Sequence, residues 1–151
     1  FYLPVAPQGS YDLQIKFSRS MGSEPFHVLV PIAQGNCLLS VGTSAGRYSR
    51  IEGGGVVSDV KQGNFGNNLL HQIDIHVDAS GDVARVLVEF NNIPLLKWAG
   101  PKSSLTPNVR HTLPRPGAIG IATGGGNGIG IHGARLKLNS GTILSLIDTG
   151  M

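Results

Sequence analysis

The sequence is short of cysteine and has no long apolar run. Cys37 is the only cysteine among 151 residues, so no disulfide can form within the chain. Its place in the apolar run 37–41 indicates a small buried side chain rather than a nucleophile. No apolar stretch approaches the roughly 20 residues that span a bilayer, so we expect no membrane insertion. The chain begins at Phe1 without a signal-peptide pattern, and we expect it to be a domain cut from a longer protein.

Charged residues are also scarce, at 14% of the sequence with a net charge of +3. The basic residues are scattered, with no group denser than the pairs Arg47/Arg50 and Arg135/Lys137. Proteins that bind nucleic acids concentrate positive charge on one face or helix. We therefore expect no nucleic-acid partner.

Glycine and proline are abundant instead. The chain has 22 glycines and 9 prolines, a density that helices tolerate poorly and that tight turns between strands require. Its length fits one domain with a core of its own. We predict an all-β domain over residues 1–151.

The clearest strand signal lies at 11–19, where apolar and polar residues alternate without a break. Two shorter apolar runs, 26–32 and 37–41, are separated by the turn sequence 33–36 and predict a hairpin. Residues 42–68 are rich in Gly, Ser and Asn and have little periodicity. They predict a long loop with one short strand around Tyr48, and loops of such length are often functional.

Three strands joined by two tight turns are predicted at 70–77, 83–90 and 93–98, which indicates an antiparallel meander. Alternation places Arg85 and Glu89 on one face of it. The opposite face should turn these apolar side chains to the core: Ile73, Ile75, Val77, Ala84, Val86, Val88 and Phe90.

The last third of the chain begins with an irregular, proline-rich crossover over 101–116. Strands follow at 117–122 and 129–138. The glycine-rich run 120–128 joins these two strands and does not lead into a helix, unlike the loops that cradle phosphates, so we read it as a hairpin loop and predict no cofactor.

The order of these segments resembles the concanavalin A-like and laminin-G-like domains that are appended to many secreted bacterial proteins. The residues that carry the resemblance are Gly9–Phe17, Pro94–Gly100, Leu113–Ile121 and Ile131–Gly141. Within that superfamily the chain is similar to the 3-keto-disaccharide hydrolase family, formerly a domain of unknown function. The resemblance implies a two-sheet antiparallel jelly-roll sandwich whose first and last long strands are adjacent, a concave face that in relatives often holds carbohydrate, and an extracytoplasmic location. It transfers no active site, because 43–47 is at best a degraded form of a motif found in the hydrolases.

A sugar site would need an aromatic side chain to stack on a pyranose and planar polar groups around it. Trp98, the only tryptophan, is either that aromatic plate or a core residue beneath the crossover. We predict a ligand-binding group made of Trp98, Arg85, Glu89, His27, Tyr48 and Arg50. For Glu89 and Arg85 the alternative is an ion pair on a solvated sheet.

The five histidines do not form a recognisable metal motif. His71 and His76 lie five positions apart on one predicted strand, so they point to opposite faces, while Asp74 and His76 share a face and supply half a site. Asp78 and Asp82 are explained as turn residues. We predict no metal.

Three functions remain open from the sequence. The leading hypothesis is a non-catalytic, lectin-like module of a secreted or cell-surface bacterial protein. The alternatives are a glycoside-processing hydrolase, with Glu89 or Asp74 as base, and a structural module that contacts other domains of a longer parent protein.

Overall fold

The structure is a computed structural model that describes residues 5–106, 118–123, 128–139 and 142–145. Almost all of the described residues belong to strands or to the turns between them. In chain order the elements are β1 (Val5–Gln8), β2 (Tyr11–Arg19), β3 (Phe26–Ile32), β4 (Gly35–Gly42), the helical turn α1 (Thr43–Gly46), β5 (Tyr48–Gly53), β6 (Val56–Val60), β7 (His71–Asp78), β8 (Val83–Phe90), β9 (Ile93–Pro101), a 3-10 turn (Lys102–Ser104), β10 (Gly120–Thr123), β11 (Ile129–Leu138) and β12 (Thr142–Ser145).

Ten of these strands form two antiparallel sheets of five strands each. Sheet I has the order β10-β3-β4-β5-β6, and sheet II has the order β11-β2-β7-β8-β9. The short strands β1 and β12 pair with each other. The predicted all-β sandwich is confirmed, and so is the adjacency of the first and last long strands, because β11 pairs with β2 along its length.

The core lies between the two sheets and follows the alternation of the sequence. In β2 the residues at odd positions are buried and those at even positions are half-buried. Phe17 of sheet II stacks on Phe26 of sheet I, with ring centroids 4.1 Å apart. The same layer contains the predicted inward residues of the meander, of which Phe90 is partly buried.

Tight turns set the register of the meander. Asn91 and Asn92 both have positive φ, 51° and 67°, as the two-residue turn that matches strand twist requires. Val83–Phe90 matches its predicted strand to the residue, and β9 continues to Pro101, three residues beyond the prediction. Glu89 pairs with Pro94 across a bulge in this hairpin.

The prediction for 42–68 is correct in part: the short strand expected around Tyr48 is present as β5, but the rest of the segment is not one long loop. The segment contains α1 and the hairpin of β5 and β6, which turns at Gly54 and Gly55, both with positive φ. Only residues 61–70 form a loop. The signal was weak because β6 is an edge strand that buries none of its residues fully, so its sequence lacks an apolar face.

Two buried polar side chains of the core find hydrogen-bond partners across the sandwich. The Tyr11 hydroxyl donates to the Pro31 carbonyl at 2.7 Å, and the Trp98 Nε1 donates to the Val56 carbonyl at 3.1 Å. Each bond joins one sheet to the other. Cys37 is fully buried, which raises the pKa of its thiol to about 12 and keeps it protonated, as expected of a packing residue.

The end of the chain agrees with the predicted strands in part. β11 spans the predicted range, and β10 begins at Gly120, three residues after the predicted start. Most of the predicted crossover, and residues 124–127 of the predicted glycine-rich loop, lie outside the described residues. Within the described ranges, no helix is long and apolar enough to cross a membrane.

Candidate functional site

The outer face of sheet II carries a row of side chains that run across all five strands. Strand register places five residues side by side, one from each of β11, β2, β7, β8 and β9: Lys137, Asp12, His76, Leu87 and Lys97. A second row beside it contains Asp78, Arg85 and Ala99. Because all of these residues have the parity opposite to the core residues, they face away from sheet I.

A groove of about 740 Å³ lies over these two rows. Leu87 and Ala99 supply apolar surface at its base, and Ser10, Ser80 and Asn139 bring further polar groups to it from the ends of the strands. The other side chains that bear on its chemistry are Asp12, His76, Asp78, Arg85 and Lys97. We call this depression the groove.

His76 stands between two carboxylates in the groove. Its Nδ1 lies 2.8 Å from Asp12 Oδ1, and its Nε2 lies 2.7 Å from Glu89 Oε1. Both ring nitrogens can donate only when the imidazole is protonated. The arrangement therefore favours an imidazolium held between two carboxylates.

The pKa values of His76 and Asp12 shift as that arrangement requires. Partial burial acts to lower the pKa of His76, but hydrogen bonds and charge attraction from Asp12 and Glu89 outweigh it and raise the pKa above the ordinary 6.5. For Asp12, partial burial acts to raise the pKa, but hydrogen bonds from His76 and Asn139 and the charges of His76 and Lys137 lower it below 3.8. Each group keeps its charge over a wider pH range than it would alone.

This cluster makes a pH-dependent contribution to stability. A raised folded-state pKa stabilises the fold at pH values below the ordinary pKa of His76, and the contribution is lost as pH rises through the raised value. The lowered pKa of Asp12 stabilises the fold at pH values above 3.8, and this contribution is lost as the pH falls through the lowered value. The contribution of the pair is therefore largest between about pH 4 and 6.5.

We expect His76→Gln to lower the free energy of unfolding by about 0.5–1 kcal/mol at pH 5.5, a small value because the three side chains are each about one third exposed. At pH 9 the difference from the parent protein should shrink toward zero. Urea unfolding at the two pH values measures it. The matched control is His132→Gln, which removes an exposed histidine of the same face that bonds to Ser18. A difference for His76→Gln that is equal at both pH values would contradict the cluster.

Next to the groove, on the same face, a smaller polar network surrounds Asp74. Its Oδ1 accepts from the Gln14 side chain at 3.0 Å, and its Oδ2 accepts from the Gln72 side chain at 2.7 Å. Asp74 and His76 share this face as predicted. Their donors and acceptors are nevertheless directed to different neighbours, so the two residues do not act as a pair.

His71 is the histidine that faces inward, as its parity predicts. Its Nε2 donates to the Gly66 carbonyl at 2.8 Å, and its Nδ1 accepts from the Asn91 side-chain amide at 3.1 Å. The ring also stacks against Phe90. These contacts fix the orientation of the ring and give His71 a structural position in the aromatic layer.

The structure divides the six predicted ligand-binding residues among three places. Arg85 and Glu89 lie on the outer face of sheet II. Trp98 points into the core, where it is 3% exposed, and this position agrees with the alternative prediction that it is a core residue. His27, Tyr48 and Arg50 lie on sheet I. The six residues therefore do not surround one site, and their roles in binding stay predictions.

On sheet I, a polar row crosses the outer face. Register places His27, Ser40, Arg50 and Asp59 side by side. His27 Nδ1 lies 2.8 Å from the Ser40 hydroxyl, and Arg50 Nε donates to Asp59 Oδ1 at 3.0 Å.

On sheet II, the sequence suggested an ion pair between Glu89 and Arg85 as an alternative to a binding role. In the structure Glu89 instead bonds to His76.

Sequence reasoning did not select Asp12, Lys97 or Asn139 as site residues. Parity alone places Asp12 on the outer face of β2 and Lys97 on that of β9. Their approach to His76 and Arg85 depends on which strands pair and in what register. Among the residues that the structure describes, no group of three or more His, Cys, Asp or Glu side chains is arranged to hold a metal ion.

No protein-family model and no curated protein matches this chain. Solved structures do match. Galectin LEC-6 of Caenorhabditis elegans superposes with a TM-score of 0.60 over 91% of this chain and 90% of its own, at 14% identity. Sheep galectin-11, solved in complex with glycerol, superposes with a TM-score of 0.56 over 91% of this chain and 96% of its own, at 13% identity.

The chain has the galectin fold. This finding confirms the jelly-roll sandwich of the concanavalin A-like kind, since the superposition covers nearly the full length of both proteins. It gives no support to the 3-keto-disaccharide hydrolase family in particular. At 13–14% identity the likeness establishes the galectin fold and leaves the site to be argued from the residues themselves.

Proposed function

We propose that this domain binds carbohydrate without catalysis, and that the binding site is the groove on the outer face of sheet II. The observation that carries the proposal is the composition of the groove, in which Leu87 and Ala99 form an apolar base between polar side chains. Its fold is shared with galectins, which are lectins, and this supports the same class of ligand.

The groove matches the two surfaces of a sugar ring. The C–H face of a pyranose can lie on Leu87 and Ala99, while hydroxyl groups meet donors and acceptors at the sides. Asp12 and Asn139 stand on one side, and Lys97 stands on the other. A volume of about 740 Å³ is in the range of small-molecule sites.

The setting of the domain is part of the same proposal. The resemblance to modules appended to secreted bacterial proteins supports an extracytoplasmic location, in which the domain would present a glycan to the other domains of a longer protein.

A glycan array tests whether the protein binds carbohydrate, and two matched tryptophan variants test where the binding site lies. Ala99→Trp fills the groove with a bulky side chain on the exposed edge strand β9. Ala122→Trp makes the same change on the outer face of sheet I, beside His27. We expect the protein to retain glycans on the array, Ala99→Trp to weaken binding at least tenfold, and Ala122→Trp to leave it unchanged.

Two results would overturn the proposal. An array without any retained glycan would remove carbohydrate binding as the function. Loss of binding in Ala122→Trp, with Ala99→Trp unaffected, would place the site on the outer face of sheet I and refute the groove.

A further inference from the structure

The carboxylates of the groove already have hydrogen-bond donors. Asp12 accepts from His76, and Glu89, at the edge of the groove, accepts from the other nitrogen of the same ring. Asp78 accepts from the hydroxyl and the backbone N–H of Ser80, at 2.7 and 3.1 Å. The negative charges are thus engaged within the protein, mostly on the side of β2 and β7.

The arginine and the lysine that line the groove differ from His76 in this respect. Arg85 and Lys97 are both exposed, and the ion pairs of the described residues involve Arg50 and His76 but neither of these two. The charge of Arg85 does act on Asp78, although the two side chains form no ion pair. Two positive charges at the β8 and β9 side of the groove can therefore interact with a ligand.

Arg85 and Lys97 are placed to act on one ligand group. Arg85 pairs with Ala99 and Lys97 pairs with Leu87, so the two cations are diagonal neighbours on adjacent antiparallel strands. Such neighbours have Cβ atoms about 7–8 Å apart, within the reach of two long side chains toward a common point. Ala99 and Leu87, the apolar base, lie directly beside them.

We infer that the groove selects a saccharide that carries an anionic group, a carboxylate or a sulfate, and that Arg85 and Lys97 hold this group while the ring lies on Leu87 and Ala99. The inference rests on the proposed function and adds the class of sugar. Arg85 can present a planar pair of donors to either anion, and Lys97 adds a point charge.

A ligand with many charges fits the groove less well. A nucleic-acid backbone would carry further phosphates toward Asp12 and Asp78, on the β2 and β7 side of the groove. Like charges that face each other at close range oppose binding. A saccharide with one anionic group at the β9 edge and neutral hydroxyl groups toward Asp12 is attracted by the two cations and is not repelled by the carboxylates.

The test uses an array in which each neutral oligosaccharide is accompanied by the same backbone with a uronic acid or a sulfate group. Titration calorimetry then compares cellotriose with its 6-carboxylate and 6-sulfate forms. We expect the anionic forms to bind at least tenfold more tightly than the neutral form, and the advantage to fall as salt is raised from 50 to about 500 mM, since exposed charges are screened.

Single variants assign the effect to the two cations. Arg85→Gln and Lys97→Gln should each lower the affinity for the anionic forms more than the affinity for the neutral form, so that most of the tenfold advantage is lost. Lys61→Gln is the matched control, because Lys61 is exposed, follows the end of β6 in sheet I and is not among the residues that line the groove. It should leave every affinity unchanged.

The outcomes separate this inference from the proposed function. Neutral and anionic glycans that bind equally, or a Lys97→Gln variant that behaves as Lys61→Gln does, would overturn the inference and leave carbohydrate binding in place. Inorganic sulfate that binds as tightly as the sulfated sugar would also overturn it, since the site would then take an anion alone. An array that retains nothing would overturn both.

Discussion

Replacing Phe17 by alanine is expected to lower the free energy of unfolding by about 3–5 kcal/mol, a large part of the roughly 5–15 kcal/mol that stabilises a domain. Phe17 is fully buried and joins the two sheets, since its ring stacks on Phe26 and meets Phe65 edge to face at 5.5 Å. Alanine leaves a cavity at the centre of the aromatic layer. Urea unfolding followed by the fluorescence of Trp98, the only tryptophan, measures the change.

Two further variants check the cause. Phe17→Leu keeps much of the volume and should cost clearly less than Phe17→Ala. Ile93→Ala removes an apolar side chain that is 66% exposed and should change stability by less than about 0.5 kcal/mol. If Phe17→Ala were as mild as Ile93→Ala, the aromatic layer would not be the centre of the core.

The parts of the fold that could be predicted from sequence are those with one buried face and one solvated face. In β2 and β8 the burial of side chains alternates, so a period of two was readable and the inward residues were correct. Of the hairpin of β5 and β6, only a short strand around Tyr48 was predicted, and β6 was missed because its burial is too slight to impose a pattern. Gly54 and Gly55 do mark its turn, and two glycines with positive φ are a hairpin signal.

For the candidate site, the sequence could predict only which face of the sheet each side chain lies on. Parity placed His76, Arg85 and Glu89 on the outer side of the meander, as the structure has them. It could not show that Asp12 lies opposite His76, because the two residues are 64 positions apart and meet only through the pairing of β2 with β7. A ligand site on a sheet depends on register between distant strands, and composition and spacing do not contain that information.

Arg19 shows that the same parity also predicts a buried charge. It ends β2 at an odd position, in line with Phe17, and its side chain is turned inward at 6% exposure. The guanidinium lies 4.0 Å from the Phe65 ring centroid and donates to the carbonyls of Phe65 and Glu24, at 2.9 and 3.0 Å, and to the Asn67 side chain. Burial lowers the pKa of Arg19, yet arginine stays charged at any pH in use.

We expect Arg19→Met to lower the free energy of unfolding by about 2–4 kcal/mol, because it leaves two backbone carbonyls of the loops around 24 and 65 without their donors. Arg19→Lys should recover only part of the loss, since an ammonium cannot reach three acceptors in the directions that the fork does. Arg47→Met, which removes an exposed arginine, is the control and should stay within about 0.5 kcal/mol. Hydrogen exchange at the Asn68 amide, which donates to the Arg19 carbonyl at 2.7 Å, distinguishes loosening of the 61–70 loop from loss of the whole fold. If Arg19→Met and Arg47→Met unfolded at the same urea concentration, Arg19 would not be the residue that fastens this loop to sheet II.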